Sequence, residues 1–294
     1  MTGSSRTPVT VLGVGSMGRA VAMALLAAGH PTAVWNRSPE RAAALVEHGA
    51  VHARTIQDAI TAGPVIVSVL TGFDATLDTL APVADALAGR TVLTLNSGSP
   101  AGARRMAEWI AARDARFLAG AIKNVPAAVG DSETLLYFGG DRAVFDHHAE
   151  ILRALGGDIV HLGPEPDLAA LYESAVGATL LPALLGFLEG AAVLATRGIP
   201  AAAMVPYSRK WLQMIESLLP ILAAEIDTAD YSRLGSSIAL FHAAVAEDEA
   251  LAAESGVDMS WHAAMHDLLR RAVAEGRGEQ SITALFEVIR KPAA

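Results

Sequence analysis

The sequence predicts an α/β half followed by an all-α half: a mostly parallel, doubly wound sheet, then a set of packed helices. Three observations carry this. Short β-branched runs alternate with helix-period segments through the first 163 residues. A glycine-rich turn joins the first run to the first helix. After Gly163 the strand signals stop and long apolar helical patterns take over. A length of 294 residues suits two domains, divided as 1–163 and 164–294.

The elements follow in order. VTVL at Val9–Leu12 reads as a short strand, and 19–28 as a helix ending at Gly29. Between them Gly13, Gly15 and Gly18 form G-x-G-x-x-G. In a strand–turn–helix setting this pattern predicts a Rossmann-type dinucleotide site. The first glycine permits the tight turn, the second lets the backbone approach a pyrophosphate, and the third lets helix and strand pack closely. Val14, Ser16 and Met17 complete the expected phosphate loop, at a helix N-terminus whose free N–H groups favour anions.

The second strand lies in PTAVWNRSPERA. A site for NAD usually ends this strand with a carboxylate for the ribose 2′-hydroxyl. Here Asn36, Arg37 and Ser38 follow, with Arg41 one turn on. Guanidinium forks suit a 2′-phosphate, so the expected cofactor is NADPH. Further strands are expected at 64–70, 91–100 and 116–122, then in ETLLYFGG, with the sheet part ending near GDIVHLG. Ligands in such sheets sit beyond the carboxyl ends of strands, which assigns Val69, Leu70, Thr71 and Asn96 to the cofactor path.

In the second half, Asp167 is an expected N-cap for a long apolar helix over about 167–197, with Pro182 as a bend and Gly198 as its stop. Helices are also expected near 201–226, 231–256 and 261–276, then a short terminal one. The run AVGATLLPALLGFLEGAAVLA is broken by Pro182 and Glu189, which favours an enclosed helix over a membrane span. A helix apolar nearly all round must be covered. About 130 residues cannot easily enclose it alone, so an intertwined homodimer is expected.

Bulk composition narrows the function. Hydrophobic residues make up 52% and charged ones 18%, which supports a large core. A net charge of −9 disfavours nucleic acid as a partner. With Cys at 0 there is no thiolate metal site, and a reducing cytoplasm is compatible. The opening MTGSSRTPVTVLGVG shows no secretory pattern. His147 and His148 are placed on a polar helix. His262 and His266 stand at i, i+4, but the sequence offers no third ligand, so no metal is expected.

GVGSMG, VWNRSPERA, LNSGSP, AGAIKNVPAAVG and DLAALYESA, in this order, resemble the NADPH-dependent imine reductases and reductive aminases of the β-hydroxyacid dehydrogenase superfamily. GFLEGAAVL, the Trp-Leu pair at Trp211 and RAVAEGRGEQSITALFEVIRKP extend the likeness over nearly the whole chain. The resemblance implies a domain-swapped dimer that reduces C=N bonds by hydride transfer, with reductive amination of ketones as a further capacity. It also implies an active site between the sheet domain of one subunit and the helices of the other. Hydroxyacid relatives carry a lysine on the interdomain helix; none of Lys123, Lys210 and Lys291 falls there. The family register puts Glu173 at the position of the imine reductases' acid, with Tyr172 as the rival proton donor. A glutamic acid ordinarily titrates at about 4.3. It donates near neutrality only where its surroundings, such as an apolar cleft, disfavour the carboxylate.

The resemblance further assigns Ser97, Lys123, Asn124, Leu181, Trp211, Leu240 and Phe241 to the substrate pocket. Several depart from the family pattern: Leu181 replaces a frequent tyrosine, Leu240 and Phe241 replace Met and an amide, and Glu247 replaces a histidine. Lys123 offers a grip for a substrate carboxylate, or a partner for Glu173. Two alternatives stay open: a hydroxyacid dehydrogenase, carbonyl or conjugated-imine reductase of the same superfamily, and an NADPH-binding sensor dimer without turnover.

Overall fold

A computed structural model describes residues 6–291. Part of the N-terminal reading and Pro292 of the last motif fall outside these described residues. The chain forms two compact units, 1–178 and 179–294.

The first unit is built on one eight-stranded sheet in the order β3-β2-β1-β4-β5-β6-β7-β8. The strands are β1 (Val9–Leu12), β2 (Thr32–Trp35), β3 (Val51–His52), β4 (Val65–Ser68), β5 (Thr91–Thr94), β6 (Arg116–Lys123), β7 (Leu135–Gly140) and β8 (Asp158–Gly163). All neighbours pair in parallel except β6 with β7. The crossovers α1 (Ser16–Ala27), α2 (Glu40–Val46), α3 (Ile56–Thr61), α4 (Phe73–Leu80), α5 (Pro100–Ala111), α6 (Arg142–His147) and α7 (Ala149–Leu155) connect the strands. β1, β4 and β5 are buried along their whole length, as expected of strands covered on both faces. One core cluster joins α1 and α7 to the sheet through Val21, Leu25, Ile151 and Leu155. Another places Leu80, Met106 and Ile110 against it. Burying each such side chain contributes about 1.5–3 kcal/mol.

β3 escaped the sequence reading. Two residues on an edge carry almost no periodic signal. His148 is a correction. It is buried between α6 and α7 rather than on a polar helix, with Nε2 2.9 Å from Thr91 Oγ1. Burial, then the neighbouring His147 and Arg116, push its pKa down to about 4.

The expected long helix runs over Leu168–Ala195; its regular hydrogen bonding lapses at Ala178 and Thr179, which keep right-handed helical dihedrals. α8 (Leu168–Gly177) packs on the sheet unit, and α9 (Leu180–Ala195) belongs to the second unit. Together they have the length and apolar content of a membrane span. Asp167 precedes α8, but its side chain makes no cap; it pairs instead with Arg104 on α5. The chain enters α8 so close to β7 that a Cβ on Gly139 would lie 2.6 Å from the Glu165 carbonyl oxygen.

The second unit holds α9, α10 (Val205–Thr228), α11 (Ile238–Ala243), α12 (Val245–Ser255), α13 (Ala263–Ala274) and α14 (Phe286–Ile289). The helix expected over 231–256 starts late and breaks at Ala244. The cause is Glu225, fully buried near the end of α10. Its Oε1 accepts from the N–H groups of Arg233 and Leu234 at 2.7 and 3.0 Å, which holds that segment as a loop. Ser281 Oγ donates to Oε2 at 2.5 Å. Burial alone would raise the Glu225 carboxyl; hydrogen bonds from the Ser281 hydroxyl and the Leu234 and Arg233 N–H groups outweigh it and hold the pKa below the usual range. A small core of Tyr231, Ile238, Leu269, Ala272, Ala284 and Val288 lies beside these ties. α9 has no buried residue.

Candidate active site

The glycine turn shows three different demands for a missing side chain. Gly13 has φ +88°, a region that favours glycine. A Cβ on Gly18 would sit 1.8 Å from the Gly13 carbonyl oxygen, so helix and turn close only without one. Gly15, the N-cap of α1, has nothing within 4 Å of its would-be Cβ. Its bareness serves no internal packing and keeps room for something that approaches the backbone. Val14 and Ser16 line the same open groove with Arg19, Glu40 and Arg41. Met17 lies in the first turn of α1.

A cavity continues along the carboxyl ends of β1, β2 and β4. It is lined by Gly13, Gly15, Asn36, Arg37, Ser38, Arg41, Val69, Leu70 and Thr71. Asn36 is a brace as well as a wall. Its Oδ1 accepts from Val14 N–H at 3.1 Å and its Nδ2 donates to the Ser38 carbonyl at 3.0 Å. Arg37 and Arg41 are exposed and enter no ion pair among the described residues. At Thr71 this cavity meets a second, which runs past Phe73 to Ser97 and Ser99. Asn96, at the end of β5, is buried with its Oδ1 lacking any partner. An orphaned buried acceptor asks for a donor from outside the chain.

The far end of this track is acidic. Ser97 Oγ donates to Glu173 Oε1 at 2.9 Å, pinning the carboxylate of α8 to the loop after β5. Glu173 Oε2 has no partner among the described residues. Tyr172 turns elsewhere, its ring edge-on to Tyr137 at 6.1 Å between centroids. The two neighbours on α8 thus serve different surroundings, as a rotation of about 100° per residue requires. Lys123 at the end of β6 reaches α8 as well; its Nζ lies 3.6 Å from where a Gly177 Cβ would be. Gly177 stands one turn beyond Glu173 on the same helix face. No ion pair joins Lys123 to Glu173 among the described residues. Asn124 shapes its own loop, donating to Thr134 Oγ1 at 3.2 Å and accepting from Val125 N–H at 2.9 Å.

The remaining expected pocket residues belong to the second unit. Trp211 and Tyr207 on α10 line an apolar groove with Pro182, Gly186 and Phe187 of α9. Leu181 is exposed beside it, and Leu240 and Phe241 are exposed on α11. The sequence did not reveal the Ser97–Glu173 link or the space that Gly177 leaves for Lys123. Neither has a local signature, because β5, β6 and α8 meet only in the folded sheet.

Sheet order, glycine turn and acid-ended track together define a dinucleotide-dependent oxidoreductase architecture. Comparison with known proteins agrees. Residues 8–163 match the NAD binding domain of 6-phosphogluconate dehydrogenase, and residues 165–291 match the NADPH-dependent reductive aminase-like C-terminal domain. The chain is 29% identical to the NADPH-dependent reductive aminase of Aspergillus oryzae over 95% of its own length and 96% of that protein's. The reductive aminase of Aspergillus terreus, solved with NADPH and ethyl levulinate, superposes with a TM-score of 0.91 at 33% identity, covering 97% of this chain and 100% of that one. An imine reductase from Bacillus cereus gives 0.86 at 30%, covering 98% and 100%. The chain belongs to the imine reductase and reductive aminase family.

Proposed function

We propose that the protein is an NADPH-dependent reductase of C=N bonds, acting on imines and on iminium ions formed from a ketone and an amine. The observation that carries this reading is the Ser97–Glu173 hydrogen bond, which fixes an acid, where hydroxyacid relatives carry a lysine, at the end of the cofactor track. The track fits the cofactor: Gly15 leaves the backbone open, Asn96 Oδ1 awaits a donor, and Arg37 and Arg41 offer forked donors for a 2′-phosphate. Bound NADPH supplies the hydride for the imine carbon. Glu173 Oε2 meets the imine nitrogen, as proton donor or as the counter-charge of the iminium, while Ser97 holds the carboxyl in place. Tyr172, turned toward Tyr137, supports the fold of α8. Lys123, whose Nζ lies beside Gly177 one turn along α8 from Glu173, gives the site a preference for substrates that carry a carboxylate.

The working form is a homodimer in the cytoplasm. α9 exposes Leu180, Leu181, Leu184 and Leu188, and α10 exposes Tyr207, Trp211 and Leu212. A second copy covers these faces, which would otherwise form an apolar patch too large for a monomer.

The test is loss of nicotinamide absorbance with a cyclic imine, a ketone with and without amine, and a β-keto acid. Imine turnover falling about 100-fold or more in Glu173→Gln is the expected result for a lost general acid. Turnover of the keto acid alone would move the protein to the hydroxyacid branch. Tight NADPH binding with no turnover at all would make it a binding protein.

A further inference from the structure

The helical unit contains a cluster that the reaction does not use. Asp248 on α12, His262 at the end of the short turn Ser260–His262, and His266 on α13 bring three ligand atoms within 4.8 Å of one another. The sequence shows only the two histidines, one helical turn apart; the fold adds the carboxylate from another helix.

Two of the three ligand pairs stand at metal-site distances. Ligands about 2.0–2.1 Å from a tetrahedral ion lie about 3.3 Å from one another. Asp248 Oδ2 is 3.2 Å from His266 Nε2 and 3.6 Å from His262 Nδ1. The wiring of His262 points the same way. Its Nε2 lies 3.0 Å from Glu189 Oε2, and that same oxygen accepts from Trp261 Nε1 at 2.7 Å. With the proton on Nε2, the lone pair is on Nδ1. This Nδ1 is buried and has no hydrogen-bond partner. A histidine whose outer nitrogen donates to a carboxylate while the inner one stays bare is the arrangement that supports metal ligation.

We propose that Asp248, His262 Nδ1 and His266 Nε2 bind a divalent first-row transition metal, zinc being the best match, with Glu189 as the orienting carboxylate. Two imidazoles and one carboxylate suit such an ion, and the groove along Glu249, Ala252 and Val257 gives a fourth ligand access from solvent. All the residues lie within the helical unit and none belongs to the cofactor track, so the metal is structural. It ties α12 to α13 across the turn at 256–262.

The test uses tag-free, chelator-treated full-length protein titrated with zinc by calorimetry, and with cobalt by visible absorbance. The expected result is one saturable zinc per chain and a ligand-field band with cobalt. His266→Ala and Asp248→Asn should abolish both while NADPH binding stays at the wild-type level. Glu189→Gln should weaken zinc binding about 10- to 100-fold, the effect of losing an orienting carboxylate. Wild-type protein that takes up no stoichiometric zinc overturns the proposal and leaves an imidazole held between carboxylates. Equal uptake by wild type and Asp248→Asn overturns it too. If His266→Ala fails to fold, the cobalt spectrum of wild type and the Asp248→Asn titration decide.

Discussion

The two units of this chain solve the burial problem in opposite ways. The sheet unit closes on itself: core clusters fill both faces, and its central strands are fully buried. The helical unit has a core of six residues, while the sixteen residues of α9 include none that is buried. The difference follows from hydrogen bonding. A parallel strand needs neighbours for its backbone, and each crossover helix then covers the sheet it came from. A helix satisfies its own backbone hydrogen bonds and can leave an apolar face uncovered within the chain. Burial within the chain and the exposed face that the proposed dimer would cover are thus distributed by secondary-structure type.

The contrast is broken most severely at α9. Leu184→Glu with Leu188→Glu should convert the proposed dimer to a monomer in sedimentation. Each leucine contributes about 1.5–3 kcal/mol on burial, and dissociation should strengthen about 100-fold or more. Unchanged oligomeric state would show that this face is covered by something else. Next in size is the glycine turn. Gly18→Ala should cost about 3 kcal/mol and lower the melting temperature, since its Cβ meets a carbonyl 1.8 Å away. Gly15→Ala should leave melting unchanged and weaken NADPH binding alone, because its surroundings are open. Equal melting losses would remove the argument that Gly15 is bare for a ligand.

The smallest effect separates the units by acid. His148 has a folded pKa of about 4, below its unfolded value near 6.5, so the unfolded chain binds more protons between them. Its stabilisation is intact above pH 6.5 and is lost as pH falls toward 4. The drop of about 2.5 pKa units corresponds to about 3 kcal/mol, or about 2 after allowing for solvent screening. Glu225 is also held low, but its stabilisation is intact above about pH 4.5 and lost only below it. In metal-free protein, lowering the pH from 6.5 to 4.5 should therefore speed hydrogen exchange in the sheet unit more than in the helical unit, and His148→Asn should erase the difference.

Most of the sheet unit was legible in the sequence because its signals are local: β-branched runs, a glycine turn, arginines after a strand. Glu173 was legible only through resemblance, since its partner Ser97 is 76 residues away. The late start of α11 was hidden for the same reason. Nothing near residue 233 announces that a buried carboxylate from α10 will take its N–H. The carboxylate of Asp248 stayed out of the metal reading because its helix meets α13 only in the fold.

The unit boundary at Ala178 and Thr179 has one more consequence. The proposed acid sits on the sheet side of that seam, and the groove around Trp211 sits on the other. In the proposed roles, the acid and the groove therefore lie on separate stretches of sequence. Recombination between relatives at this boundary would then exchange part of the pocket while keeping Glu173 and the serine that holds it. A crossover at residue 163 would sever the acid from the serine that holds it.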